Sequence, residues 1–333
     1  MQYLLCALLM TALPALAQPL DALLAQRDHD QHADLRSVLV MRDGAILAER
    51  YYNGETAETL HDIRSAGKSI TALLAGAAAD RRQLRAHDTI GRLWPAARAT
   101  ALANVTLDQA LTMRSGLAAF DEDPASPGNE DKLDEAADPV AFALAVPAET
   151  APGTRYRYNS LTSYIVGLVV EQATGQDLEA YARSVLFEPL GIGQWQWLRD
   201  AAQHPKGQGN LFLRTRDLGK IGQMVLDSGR YGGRQVISAS WLEAALAPRV
   251  RTGGVDPYAD HYGYFWYRKV HHIDGRNIVV HFASGNGGNK IYVAPDLKAV
   301  VVITSSAYGK GYGQRRSESI LKGILAIMAA PSK

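Results

Sequence analysis

Cysteine is almost absent from this sequence. Among its 333 residues the one cysteine is Cys6, and it lies in a leading segment that we expect the mature protein to lose. Without Cys6, the mature chain has no disulfide, no catalytic thiol and no cysteine ligand for zinc. Two histidine pairs also lack carboxylate companions at the spacing of zinc sites: His29/His32 and His271/His272. The sequence therefore predicts neither a metal nor a cofactor.

Long hydrophobic runs are missing as well. The apolar run from Leu4 to Leu16 is shorter than the roughly 20 residues that a helix needs to cross a bilayer. Small side chains at Ala15 and Ala17 suit a signal peptidase, so residues 1–17 are predicted to be a cleaved secretory signal. No Lys or Arg precedes the run, which leaves an uncleaved anchor as the alternative. A cleaved signal predicts a periplasmic or secreted protein without stable membrane insertion.

An excess of one charge is the third feature that the chain lacks. Its 35 Lys and Arg residues nearly balance 34 Asp and Glu residues, which gives no electrostatic reason to expect nucleic acid as a partner. No serine stands in a Gly-x-Ser-x-Gly elbow. The hydrophobic share of 47% and the charged share of 21% are those of an ordinary soluble globular protein.

Strand-like segments stand at both ends of the mature chain, with helical segments between them. Asp-Gly within Arg42-Asp43-Gly44 predicts a hairpin turn. The predicted strands are Ser37–Met41, Ala45–Tyr52, Asn277–Ala283, Lys290–Ala294 and Lys298–Thr304. The predicted helices are Ser65–Asp80, Leu107–Met113, Ser163–Ala173, Arg216–Ser228, Ala239–Leu246 and Arg316–Met328.

This order of elements predicts an α/β fold of the α+β type. One mainly antiparallel sheet, flanked by helices, is built from the N- and C-terminal parts, with an all-helical lobe inserted between them. We assign residues 28–64 and 205–333 to the α/β lobe and residues 65–204 to the helical lobe, within one unit over 18–333. The acidic stretch from Asp121 to Asp138 is interpreted as a solvated loop or an exposed helix.

Ser65-Ala66-Gly67-Lys68 is a Ser-x-x-Lys motif. Three residues apart on a helix, Ser65 and Lys68 share one face with Cβ atoms about 5–6 Å apart. A neutral Lys68 amine can accept the Ser65 proton, provided that burial and the positive end of the helix dipole lower its pKa. The alternative is that Ser65 caps the helix and Lys68 lies on the surface.

Two further segments carry groups suited to acyl transfer. In Pro152–Ser160 the phenol of Tyr158 can pass a proton, and positive neighbours would favour its phenolate. In His281–Asn289 a Gly-rich strand edge lets backbone N–H groups approach a ligand and hold an oxyanion. Plain packing of the tyrosine and a simple hairpin turn are the alternatives.

Taken in order, the three segments resemble the Ser-x-x-Lys, Tyr-x-Asn and Lys/His-Thr/Ser-Gly boxes of the class C β-lactamase and penicillin-binding-protein superfamily. Val105–Leu117 resembles the family's Thr-Leu-Met-Thr-Ser-Gly stretch, and Phe187–Ile192 resembles its Phe-x-Pro-Leu-Gly-Met segment. Arg216–Leu218 and Gly285–Pro295 are similar to the branch of esterases and aminohexanoate-oligomer hydrolases. The likeness runs from about Val38 to Val302.

The resemblance implies a β-lactamase/transpeptidase-like fold and an acyl-enzyme mechanism. Ser65 attacks the carbonyl, Lys68 activates Ser65, and Tyr158 shuttles a proton and acts as base for deacylation. The oxyanion would lie between the backbone N–H groups of Ser65 and Asn286. On the same grounds we assign substrate binding to four residues: Ser160, Ser284, Gly285 and Asn286.

Two positions depart from the family pattern. Ser160 stands where an Asn is usual, and Ala283 stands where a Lys or His is usual. In a regular strand His281 shares a face with Ala283, but we do not expect His281 to replace the missing cation. These departures favour an esterase or amidase acting on a less anionic acyl group.

The sequence therefore predicts a serine hydrolase that acts on a small ester, amide or peptide. A true β-lactamase or D-Ala-D-Ala peptidase is the alternative within the same chemistry. A catalytically inactive module that recognises cell-wall peptide is the alternative from another class, and the altered second and third boxes motivate it. The sequence favours no particular oligomeric state.

Overall fold

The computed structural model describes residues 16–330, and most of its strands belong to one large antiparallel sheet. In this part of the chain the strands are β1 (Leu35–Arg42), β2 (Ala45–Tyr51), β3 (Leu60–Asp62), β4 (Gln196–Trp197), β5 (Leu211–Arg214), β6 (Arg230–Tyr231), β7 (Arg234–Gln235), β8 (Val250–Arg251), β9 (His261–Tyr262), β10 (Tyr267–Ile273), β11 (Arg276–Gly285), β12 (Asn289–Ala294) and β13 (Ala299–Ser305).

Helices cover the sheet and fill most of the middle of the chain. They are α1 (residues 16–25), α2 (Gly67–Asp80), α3 (Ile90–Leu93), α4 (Leu107–Leu111), α5 (Glu130–Glu135), α6 (Pro139–Ala145), α7 (Ser160–Thr174), α8 (Leu178–Ala182), α9 (Thr215–Leu226), α10 (Ala239–Leu246) and α11 (Gly311–Ala329). A single 3-10 turn, Arg64–Ala66, leads into α2.

The first and the last strand of the described chain pair with each other inside the large sheet. Its strand order is β2-β1-β13-β12-β11-β10-β9-β8, so β1 pairs with the next strand in sequence on one side and with the last strand on the other. A smaller sheet, β3-β5-β4, lies beside the start of α2. The predicted fold class, an antiparallel sheet from both chain ends flanked by helices, is confirmed.

The first hairpin forms where the sequence predicts it. Asp43 and Gly44 have φ angles of 49° and 79°, the left-handed values that a two-residue type I′ turn requires and that Asp-Gly adopts readily. The apolar residues on either side then pair as β1 and β2, from Ser37 with Tyr51 to Arg42 with Ala45.

Helix α2 lies in the interior. Its residues from Gly67 to Ala78 are buried on every face, as expected for a helix that is apolar nearly all round. Close packing depends on glycine: a Cβ at Gly76 would overlap the indole ring of Trp241, 2.8 Å from its Cγ atom. Because its surroundings leave so little room, α2 holds the residues at its N-terminus in fixed positions.

The predicted start of this helix is two residues too early. The α-helical segment begins at Gly67, and Ser65 belongs to the 3-10 turn before it. Arg64 enters this turn with a φ of 51°, a left-handed value that does not continue a helix. The N–H of Ala66 donates to the Ile63 carbonyl across three residues, at 3.2 Å, so the first turn is tighter than an α-helix.

The predicted signal, residues 1–17, lies outside the described residues except for its last two positions, and it stays a prediction. Within residues 16–330 no helix combines the length and the apolar character that crossing a bilayer needs.

Replacing Gly76 by Ala should lower the free energy of unfolding by about 1–3 kcal/mol, because the new methyl group overlaps Trp241 in a packed interior. Urea denaturation followed by circular dichroism measures the change. Gly193→Ala is the matched control, since no atom lies within 4 Å of its Cβ position. An unchanged midpoint for Gly76→Ala would mean that α2 is loosely packed.

Candidate active site

The 3-10 turn presents Ser65 next to the end of strand β11. Ser65 is half-buried, whereas its neighbour Ala66 is buried. Asp62 stabilises the turn through two contacts. Its carboxylate accepts the backbone N–H of Arg64 at 2.9 Å and lies 3.1 Å from the Arg64 side chain. The left-handed backbone at Arg64 is a strained conformation that surrounding contacts must maintain, as is common at functional sites.

Lys68 is buried, with 1% of its surface exposed, yet its amine has three partners. Its Nζ atom lies 2.9 Å from Ser65 Oγ, 3.0 Å from Ser160 Oγ and 2.9 Å from the Gln208 carbonyl oxygen. A neutral amine has two N–H donors and one lone pair. It therefore matches this set if it donates to Ser160 and Gln208 and accepts the Ser65 proton.

The environment of Lys68 favours that neutral form. Burial lowers the pKa of Lys68, because removing the ammonium from water destabilises its charge. Glu130, Asp121 and Asp134 act against this by attracting a positive charge. An unperturbed lysine has a pKa near 10.4 and is almost entirely protonated at pH 7, so the lowered pKa increases the fraction of Lys68 that is neutral and able to accept a proton.

Tyr158 lies over the same amine. Lys68 Nζ is 5.2 Å from the centroid of the Tyr158 ring, and the ring packs against Tyr262 and Tyr267 with centroid separations of 6.5 and 6.4 Å. Burial raises the pKa of Tyr158, and a hydrogen bond with the Ser65 side chain opposes that rise. The phenol therefore keeps its proton at neutral pH, although the sequence had suggested a stabilised phenolate.

Strand β11 ends in contact with the turn that carries Ser65. A Cβ at Gly285 would overlap the carbonyl oxygen of Ile63 and lie 3.1 Å from the Ala66 nitrogen. Only glycine allows this approach of two backbones. The next residue, Asn286, is exposed, and its side-chain oxygen accepts the N–H of Gly309 at 2.8 Å. Gly285 thus lies against the turn that carries Ser65, and Asn286 follows it directly in the chain.

Next to the third segment, His281–Asn289, stands a cation that no motif in the sequence marked. Lys290 on β12 pairs across the strands with Ser284 on β11, and its Nζ atom donates to Ser284 Oγ at 2.7 Å. Lys290 is 3% exposed. Burial lowers its pKa to about 8, opposed by Asp256 and Glu318. The pairing of residues 284 and 290 across a Gly-rich hairpin was the signal in the sequence that could have revealed this contact.

His281 does not provide this cation. It pairs with Val293 and Arg268 in the sheet and is half-buried. Burial, assisted by Arg268 and opposed by Asp296, lowers the pKa of His281 to about 4, so the imidazole is neutral at pH 7. Ala283 is fully buried and has no polar group. The positive charge near the third segment comes from Lys290 instead.

One more site residue comes from the acidic stretch that was interpreted as solvated. Asp121 is half-buried, and its Oδ2 atom accepts the backbone N–H of Ser160 at 2.7 Å. Its neighbours Glu122 and Asp123 are exposed, as predicted. No sequence motif marks Asp121, because its contact with α7 is set by the tertiary fold.

The structure therefore brings most of the predicted site residues together. Ser65, Lys68 and Ser160 form one bonded group, Tyr158 lies beside them, and Gly285 touches the turn. Ser284 is held by Lys290 on the neighbouring strand. Among residues 16–330, no group of three or more His, Cys, Asp or Glu side chains could hold a metal ion.

Comparison with known proteins gives a consistent result. A family model described as Beta-lactamase matches residues 20–323. The 6-aminohexanoate-dimer hydrolase of Paenarthrobacter ureafaciens is 23% identical over 231 residues, which are 66% of this chain and 58% of that protein. The chain thus spans less than two thirds of the length of this curated relative.

Two solved structures are similar over nearly the whole chain. A penicillin-binding-protein homologue from Caulobacter crescentus has a TM-score of 0.74 at 18% identity, over 94% of this chain and 98% of its own. A family VIII carboxylesterase has a TM-score of 0.71 at 16% identity, over 92% of this chain and 97% of its own. At such identities the likeness shows a shared fold, and function must be argued from the site.

Gly285→Ala should slow the reaction of Ser65 with a fluorophosphonate by about a hundredfold, because the added Cβ pushes β11 away from the Ser65 turn and a shift of 1 Å can cost that much. Mass spectrometry of the labelled protein over time gives the rate. Gly193→Ala, with an empty Cβ position, should react at the wild-type rate. Equal rates in all three proteins would show that this backbone contact does not shape the site.

Proposed function

Because the chain belongs to the beta-lactamase family, which its match over residues 20–323 shows, we propose that it is a serine hydrolase that cleaves a small ester or amide through an acyl-enzyme on Ser65. The observation that carries the proposal is the contact between the Lys68 amine and Ser65 Oγ at 2.9 Å, in a buried setting that lowers the pKa of Lys68. A hydroxyl is a weak nucleophile until an adjacent base takes its proton.

Acylation follows from this arrangement. Ser65 Oγ bonds to the substrate carbonyl carbon while its proton moves to the Lys68 lone pair. The Gln208 carbonyl and the Ser160 hydroxyl hold the amine in place as it becomes charged. The carbonyl oxygen becomes an oxyanion, for which we propose the backbone N–H groups of Ser65 and Asn286 as donors. The contact between Gly285 and the Ser65 turn supports this placement.

Collapse of the intermediate breaks the bond to the leaving group, which takes a proton. Tyr158 is suited to deliver it, because its phenol is protonated at neutral pH and its ring centroid lies 5.2 Å from the Lys68 amine. A water molecule then attacks the acyl carbon of the acyl-enzyme, and the bond from Ser65 Oγ to that carbon breaks. The proton of the water passes back through Tyr158 and Lys68 to Ser65 Oγ. In this proposal Tyr158 passes protons on and does not persist as a phenolate.

Ser284 and Lys290 contribute to the selection of the substrate. An ammonium only donates hydrogen bonds, so Ser284 Oγ must be the acceptor in the bond from Lys290. The Ser284 O–H is then free to donate to a substrate oxygen, and its charged neighbour strengthens that bond. We propose that Ser284 binds an acceptor group of the acyl part, which suits esters and amides.

Two other functions remain candidates with distinct outcomes. A β-lactamase or D-Ala-D-Ala peptidase would turn over nitrocefin or a D-Ala-D-Ala peptide faster than p-nitrophenyl esters. An inactive recognition module would bind ligand without turnover in any of these assays. We favour an active hydrolase over the recognition module because Ser160, despite replacing the usual Asn, bonds to Lys68 at 3.0 Å. We also propose a periplasmic or secreted location, on the strength of residues 1–17.

A fluorophosphonate probe should label wild-type protein at Ser65, and Ser65→Ala should abolish labelling. Lys68→Met should slow it by about 10²–10⁴-fold, the usual contribution of a general base. Mass spectrometry of tryptic peptides locates the adduct. Ser240→Ala, which removes an exposed hydroxyl on α10, should label normally. Labelling that persists in Ser65→Ala would refute the proposal.

Lys290→Met should lower kcat/KM for p-nitrophenyl acetate about tenfold at pH 7, since a hydrogen bond to a charged group contributes about 1.5–3 kcal/mol. Lys290 is charged below a pKa of about 8 and neutral above it. Wild-type activity should therefore fall as pH rises through 8, and the variant should lack this basic limb. Lys298→Met, at an exposed lysine, is the control. An identical pH profile in Lys290→Met would exclude a role for its charge.

A further inference from the structure

The peptide bond between Gly285 and Asn286 is held at its carbonyl end. The Gly285 carbonyl oxygen accepts the N–H of Gly288 at 3.2 Å, within the turn that joins β11 to β12. It also accepts the side-chain amide of Gln314, whose Nε2 atom donates from helix α11 at 2.9 Å. Two donors from different elements therefore keep this carbonyl pointing in one direction.

The N–H of the same peptide points the other way. A trans peptide is planar, and its C=O and N–H groups point in opposite directions. Because the Gly285 carbonyl faces the turn and β12, the Asn286 N–H faces away from β12. On that side β11 pairs with β10 only as far as Phe282 with Tyr267, so the end of β11 has a free edge there. Within residues 16–330 the Asn286 N–H has no hydrogen-bond acceptor.

The Ser65 N–H, the other donor that we assign to the oxyanion, is also unpaired in the described part of the chain. Gly285 lies against the turn that carries it, since a Cβ at Gly285 would be 3.1 Å from the Ala66 nitrogen. Ser65 is half-buried and Asn286 is exposed, so neither is closed off from a substrate. An oxyanion site needs donors of this kind, fixed in place before the reaction and free to bind.

The Gln314 side chain has one orientation that fits its surroundings. Its Nε2 faces the Gly285 carbonyl, and exchanging the two end atoms of the amide would set two acceptor oxygens against each other. Its Oε1 is shielded from solvent and has no hydrogen-bond partner within residues 16–330. A buried oxygen without a partner costs free energy, so the useful contact of this amide is its donation to Gly285.

We propose that Gln314 is a positioning residue for the oxyanion site: by holding the Gly285 carbonyl, it aims the Asn286 N–H at the oxygen that becomes negative. This inference rests on the proposed function. As Ser65 Oγ bonds to the substrate carbonyl carbon, the electron pair of the C=O double bond moves to the oxygen. The peptide N–H must already point at that oxygen, and glycine by itself restrains the rotation of this peptide little. Gln314 acts through Asn286 and takes no part in proton transfer.

Helix α11 gives Gln314 a fixed starting point. A Cβ at Gly313 would overlap the Gly287 carbonyl oxygen, so the helix and the turn meet backbone to backbone. Ser317, three residues after Gln314 on the same face of the helix, is fully buried and donates its hydroxyl to the Gly288 carbonyl at 2.7 Å. Ser317 thus holds the same turn without bonding to the Gly285–Asn286 peptide, which makes it the matched control.

Gln314→Met keeps a side chain of similar length but removes its donor. With p-nitrophenyl acetate as probe, we expect kcat and kcat/KM to fall together, at least about tenfold, because the lost interaction is one made only in the transition state. The specific readout is the preference for this ester over its thiono analogue, in which sulfur, a weaker hydrogen-bond acceptor, replaces the carbonyl oxygen. This preference should fall by a similar factor in Gln314→Met and keep its wild-type value in Ser317→Ala.

A Gln314→Met protein with wild-type kcat and wild-type preference for oxygen would overturn the inference. An equal loss of preference in Ser317→Ala would also overturn it, because general loosening of the turn would then be the cause. Gln314→Glu covers a failure of Gln314→Met to fold. It has the shape of glutamine, but its ionised carboxylate cannot donate, so it should show the same loss at pH 8.

Fluorophosphonate labelling of Ser65 separates this test from that of the proposed function. Wild-type protein that is neither labelled nor active on p-nitrophenyl acetate would refute both. Wild-type protein that is labelled and active, with Gln314 variants that keep its kcat and its preference for oxygen, would reject the role of Gln314 alone.

Discussion

The removal of one lysine amine from water is the constraint around which this site is built. Lys68 is surrounded by protein on all sides, and its three neighbours present one hydroxyl to deprotonate and two oxygens to bind. A charged ammonium in such a place is expensive, whereas a neutral amine fits with every hydrogen bond made. The carboxylates at Asp121, Glu130 and Asp134 limit how far the pKa of Lys68 falls. The balance between burial and these charges sets the pKa of Lys68.

The rest of the fold serves to keep that amine where it is. Helix α2 is buried from Gly67 to Ala78 and cannot rotate or slide without opening cavities or overlapping its neighbours. At its N-terminus, backbone meets backbone with no side chain between: a Cβ at Gly67 would lie 3.1 Å from the Cα of Gly209. Glycine pairs of this kind give a short-range, rigid contact. They fix the position of the N-terminus of α2 more precisely than contacts between flexible side chains could.

The sequence predicted the core of the site because its residues are close in sequence or stand in a recognisable pattern. The three-residue spacing of Ser65 and Lys68, and the glycines after Ala283, mark these residues directly as candidates. Lys290 and Asp121 could not be found in that way. The contact of Lys290 with Ser284 can be found only once the strand register is known, and Asp121 contacts Ser160, which lies 39 positions later in the chain. The helix start was placed two residues early because apolar periodicity does not report the left-handed φ at Arg64. Strands β8 and β9, of two residues each, are likewise too short for a pattern to mark them.

The contact between Gly285 and Ile63 has a consequence for when the protein first becomes reactive. The turn that carries Ser65 leaves the ribosome long before β11, and β11 is fixed in the sheet by pairing with β10 and β12. Until those late strands have folded, the turn lacks its backbone contact with Gly285, and the hydroxyl of Ser65 has the reactivity of an ordinary serine. For the proposed hydrolase, a partly synthesised or unfolded chain would therefore lack the contact that shapes the Ser65 turn.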